Sequence, residues 1–157
     1  MKGAFLLLAV LDFASGPVRT HDARIAQAMR EGRHRSATFS GLMERVETSG
    51  LIVYVESGRC GPIHVLSCVS VTASAGGTRY VRVTIDTSHS RQLIVEQIAH
   101  ELQHAVEIAG SPEVIDAGSL RALYRRIGTS GAGRDVFETP AAVATGRTVS
   151  LEYAAPQ

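Results

Sequence analysis

The pattern that most narrows what this chain can become lies between Ser90 and Gly110, where His100, Glu101 and His104 are set close together into its most regular apolar run. Leu93, Ile94, Ile98, Leu102, Ala105 and Ile108 recur at helical intervals, Ser90 is suited to cap the start, and Gly110 with Pro112 marks the stop. The spacing predicts a helix from Arg91 to about Ala109. Inside it stands His100-Glu101-Leu102-Gln103-His104, flanked by the uncharged Ile98, Ala99, Ala105 and Val106. A polar trio in such surroundings is costly unless something satisfies it. Histidines four apart project from one side of a helix one turn apart, so their imidazoles can converge on a single tetrahedral cation. Glu101 then faces a water whose pKa the cation lowers, and is placed to take its proton and deliver it to a leaving group. The plainer alternative is a pair of solvent-facing histidines on a surface helix, or a structural metal.

The remaining sequence supplies a mixed set of elements. Residues 18–30 space Val18, Ala23, Ile25, Ala26 and Met29 as a surface helix with Thr20 or Asp22 as cap, and Gly32-Arg33-His34-Arg35 reads as a break. A second helix over 36–48 puts Phe39, Leu42, Met43 and Val46 on one face and ends at Ser49-Gly50. Residues 51–56, 63–72 and 80–86 are rich in β-branched and aromatic side chains and read as three strands. The short, glycine-bearing connections between them favour antiparallel hairpins. Further helices are expected over 119–127 and 136–144, separated by the glycine-rich GTSGAGR, and a terminal strand over 148–153. The expected fold class is α+β: a small antiparallel sheet of about three strands packed against the His100–His104 helix and further helices. No internal repeat or low-complexity tract is present.

The motif His100 to His104, with the strand-then-helix order of residues 80–109, resembles the zincin metallopeptidases, in which an HExxH helix packs beside a small twisted sheet. It is also similar to short bacterial proteins carrying HELQHAVE. The resemblance implies a zinc ion held by His100 and His104, Glu101 as general base, a peptide or protein substrate, and residues 80–86 as the edge strand that aligns the substrate backbone.

A catalytic zinc takes a third protein ligand and leaves one position open. The metzincin continuation is missing, because Glu107 and Gly110 stand where its glycine and third histidine belong. The gluzincin pattern, a glutamate from a second helix downstream, points to Glu138. Glu107 is the rival third ligand. A straight helix spreads His100, His104 and Glu107 along about 10 Å of axis, so holding an imidazole N–H is the easier role for Glu107. Glu113 and Asp116 are weaker candidates, and His64, His89, Tyr124 and Tyr153 are residues that can line a cleft or pack structurally. No phosphate loop, dinucleotide fingerprint or serine-nucleophile motif is present.

The 157 residues suit one domain over residues 17–157, and sixteen Lys and Arg against fifteen Asp and Glu leave a formal charge of +1. Such balance gives no long-range pull toward nucleic acid or anionic lipid. Residues 1–16 have the form of a short secretory signal, with Lys2, the apolar AFLLLAVL and the small residues Ala14-Ser15-Gly16. That run is too short for a stable membrane span. Export to a periplasmic or secreted location is expected, the alternative being a cytoplasmic protein whose first residues tuck against the core. Cys60 and Cys68 lack the spacing of a zinc ribbon and form either one disulfide or two idle thiols. The function expected is zinc-dependent hydrolysis, with a non-catalytic zincin-shaped binding or regulatory module as the alternative.

Overall fold

Gly32 and Ser36 show how local chemistry sets the frame. The computed structural model describes residues 15–61, 65–130 and 137–156; most of the expected secretory signal, His64 and most of the glycine-rich loop lie outside them. The chain enters as a short strand, β1 (Val18–Arg19), rather than as the helix expected there. Helix α1 (Ala23–Arg35) begins where Asp22 accepts hydrogen bonds from the Arg24 and Ile25 amides. It runs through Gly32 instead of breaking, because the Phe39 ring packs against that glycine, where a Cβ would come within 3.0 Å of it. Ser36 closes α1 and opens α2 (Ala37–Glu47), its hydroxyl accepting from the Phe39 amide.

Strand β2 (Leu51–Ser57), strand β3 (Ser67–Ala75) and strand β4 (Thr78–Ile85) follow. With β1 they form a four-stranded sheet in the order β1-β2-β4-β3. The hairpin between β3 and β4 is antiparallel as expected, turning through Gly76 and Gly77, both at positive φ. The first expected hairpin is not formed. β4 inserts between β2 and β3 and runs parallel to β2, with Val53 opposite Val81 and Val55 opposite Val83, so the sheet is mixed rather than antiparallel. β4, expected to be the edge that aligns a substrate, is instead an interior strand, and the edge next to it is β3.

Leu51, Val53 and Val55 of β2 and Val81, Val83 and Ile85 of β4 are buried, while Glu56 and Arg82 are exposed, so the helices cover one face of the sheet. Against that face lies α3 (Arg91–Ala109), capped by Ser90, with Ile94, Val95, Ile98, Ala99, Leu102, Ala105 and Ile108 in the core. Arg79 reaches across from β4 to the far end of α3, donating to the carbonyls of Ile108 (2.7 Å), Ala109 (3.2 Å), Ser111 (2.9 Å) and Val114 (3.3 Å).

Helix α4 (Ala117–Ile127), capped by Asp116, leads to the paired short strands β5 (Thr129–Ser130) and β6 (Phe137–Glu138). The final element is α5 (Pro140–Ala154), which replaces both the helix expected over 136–144 and the strand expected over 148–153. Ala142, Gly146, Val149 and Tyr153 make its buried stripe, and at Gly146 it approaches α3 so closely that a Cβ would sit 3.5 Å from that of His100. Glu152 ties α5 to the start of α2 through the Ser36 hydroxyl and the Thr38 amide and hydroxyl. Cys60 and Cys68 form a disulfide. Among the described residues, no helix is long and apolar enough to cross a membrane.

Candidate metal centre

On α3 the polar trio faces away from the fully apolar stripe but not into open water. Glu101 and His104 are each 3% exposed, and the His100 side chain 13%. The two imidazole centroids are 4.9 Å apart with their planes at 77°. From β6, the Glu138 carboxylate comes within 3.2 Å of His100 Nε2. Glu138 thus arrives from a short strand immediately before α5, not from within a helix. Its approach depends on Gly128, where a Cβ would sit 3.0 Å from the Glu138 carbonyl oxygen and 2.8 Å from that of Tyr124. His100, His104 and Glu138 each offer an atom within 4.8 Å of the other two, so the three can hold one metal ion.

Glu107 stands outside this trio. One of its oxygens lies 2.8 Å from His104 Nδ1, and the other accepts from the Thr139 hydroxyl at 2.7 Å. Thr139 in turn caps α5 by accepting from the Ala142 amide. Glu107 therefore holds an imidazole and joins it to the start of the last helix, leaving Nε2 of His104 as the free ring nitrogen. The other candidates sit elsewhere: His89 lies 3.7 Å from Asp86, Glu113 pairs with Arg126, Asp116 caps α4, and Tyr153 donates to Glu31.

Burial drives the electrostatics. Complete burial pushes the Glu101 carboxyl above the ordinary glutamate value, against the opposing pull of His104, His100 and the Ser67 hydroxyl. Burial works to lower His100, but the hydrogen bond to Glu138 and the surrounding carboxylates outweigh it and raise it. The same hydrogen bond holds Glu138 below its ordinary value.

Three further side chains, those of Ser67, Gln97 and Tyr124, belong to the site. Ser67, at the start of β3, donates to Glu101 Oε1 at 2.6 Å, and Gln97 lies one turn before Glu101 on the same face of α3. The Tyr124 ring packs edge-on against His104 with centroids 5.1 Å apart, and among the described residues neither its buried hydroxyl nor Glu101 Oε2 has a hydrogen-bond partner. Burial, followed by the nearby Glu107, Glu101 and Glu138 charges, pushes that phenol far up. The Gln97–Glu101 spacing is visible in the sequence, whereas Ser67 could be found only with the register of β3 known.

Compared with known proteins, the chain matches no family model, no curated sequence and no solved structure. The site is therefore read from its own chemistry.

Proposed function

We propose that this protein is a zinc-dependent hydrolase acting on peptide bonds, with His100, His104 and Glu138 as the zinc ligands and Glu101 as the general base. The observation that carries the reading is the company Glu101 keeps. It is a buried carboxylate beside a two-histidine, one-carboxylate cluster, with one oxygen held by Ser67 and the other without a partner among the described residues. Leaving such an atom unsatisfied costs about 1–3 kcal/mol, which fits a position that a reactant is meant to occupy. Two imidazoles and a carboxylate also form a ligand set that suits zinc and leaves room for a water.

Held by His100, His104 and Glu138, a zinc ion would supply Lewis acidity, lowering the pKa of a water to about 7 and polarising a carbonyl. The chain's own residues supply the rest. Glu101 accepts the proton of the attacking water and returns it to the departing amine. Glu107 fixes the tautomer and angle of His104 by engaging Nδ1. The Tyr124 hydroxyl is available to donate to the oxygen on which negative charge develops. The antiparallel edge strand β3, which carries Ser67 into the site, offers backbone groups to an extended peptide. A closed four-ligand site would favour the reading as a non-catalytic module, and among the described residues the cluster has three. The Cys60–Cys68 disulfide supports an exported location, since such bonds persist in oxidising compartments.

The test is Glu101→Gln. The variant should bind zinc with the wild-type stoichiometry while cleavage of a mixed peptide library, followed by mass spectrometry, falls by about 100-fold or more. Full activity in the variant refutes the mechanism.

A further inference from the structure

The Ser67 hydroxyl is within 2.8 Å of Gln97 Oε1 as well as 2.6 Å from Glu101 Oε1. A hydroxyl has one proton and cannot serve two acceptors. Turning the Gln97 amide end for end, an assignment that the hydrogen-bond network decides, makes its N–H the donor to Ser67. The result is a directional chain in which Gln97 donates to Ser67 and Ser67 donates to Glu101. Glu101 Oε1 is then occupied and Oε2 is the atom left without a partner.

Ser67 is itself fixed from two sides. It pairs with Ile85 at the end of β4, and the next residue, Cys68, is crosslinked to Cys60. Gln97 is fixed by α3, one turn from Glu101. A buried carboxylate gripped at one oxygen from a neighbouring strand cannot swing, so the direction of its other oxygen is set before any substrate arrives. We propose that Ser67, oriented by Gln97, is a positioning residue that fixes the Glu101 carboxylate for proton transfer. This rests on the hydrolase reading, and a purely structural Ser67 would merely satisfy a buried group.

Full-length zinc-loaded protein, Ser67→Ala and Ser67→Thr are compared on a quenched fluorescent peptide pool. Ser67→Ala should lower kcat by about 30- to 100-fold, as expected for a misplaced base, with KM and zinc affinity within about twofold of wild type. Ser67→Thr, which restores the hydroxyl on a strand that tolerates β-branching, should return kcat to within about threefold. A second readout uses metal-free protein at constant neutral pH: the side-chain carboxyl ¹³C resonance of Glu101 should move in Ser67→Ala and return in Ser67→Thr, while that of the distant Glu113 stays in place. An unchanged kcat, or a loss that Thr does not rescue, overturns the proposal. Should wild type bind zinc yet cleave nothing, the hydrolase reading fails separately, and the carboxyl resonance alone decides on positioning: moved and rescued supports it, unmoved overturns it. Should Ser67→Ala fail to fold, Gln97→Met takes its place, with a several-fold loss of kcat and the same resonance shift expected and neither change overturning it.

Discussion

Glu107 shows how one carboxylate can matter to a site without joining it. Its two oxygens are divided between His104 Nδ1 and the Thr139 hydroxyl, so both are committed before a cation arrives. Groups that orient a liganding imidazole in this way typically contribute a factor of about 10–100 to metal affinity. Glu107→Gln should therefore weaken zinc binding by about that factor in competition with a chromophoric chelator, with the stoichiometry unchanged. An affinity equal to wild type means that the His104–Glu107 contact is incidental. The sequence allowed this role for Glu107, because three residues beyond His104 places it on the same stripe. It could not show Thr139, whose approach depends on where β6 and α5 turn, and it offered Tyr124 only as one of several cleft candidates, since its place beside His104 comes from the packing of α4.

Among the elements, α3 carries the site and Arg79 holds its far end. Helix termini leave carbonyls without intrahelical partners, and here one guanidinium from β4 reaches the last two of α3, Ile108 and Ala109, and those of Ser111 and Val114 just beyond it. Arg79→Met keeps the aliphatic length but loses these charge-assisted bonds, and should cost about 3 kcal/mol of unfolding free energy by urea titration. A loss under about 0.5 kcal/mol would mean that water replaces the clamp without penalty. α3 was legible because it has a cap, a periodic apolar stripe and a stop. The sheet was half legible. Each of the three main strands shows its own β-branched pattern, but pairing depends on contacts distant in sequence. A short connection from β2 suggested a hairpin, whereas the buried valines of β4 lie beside those of β2 on the face that the helices cover. α5 was misread in its second half because Thr148 and Val149 favour strands locally. Counting Gly146 as an apolar station joins Ala142, Val149 and Tyr153 into one helical stripe, and burial against α3 overrides propensity.

At the scale of the molecule, the candidate ligands draw together parts of the chain far apart in sequence: both imidazoles come from α3 and the carboxylate from β6. A cation held by all three closes a long loop, and binding to the folded state alone stabilises it by mass action. Zinc at about a hundredfold excess over its Kd should add about 2.7 kcal/mol and raise the melting temperature by about 5–10 °C in calorimetry. His100→Ala should lose most of that gain, and an unaltered gain would place the ion elsewhere. The order of the donors along the chain has a further consequence during synthesis. When α3 leaves the ribosome, it presents two imidazoles and no carboxylate from β6, and the close seat that Gly146 provides beside His100 is still to come. Any cation these three side chains hold is thus gripped in full only once β6 has followed α3 off the ribosome.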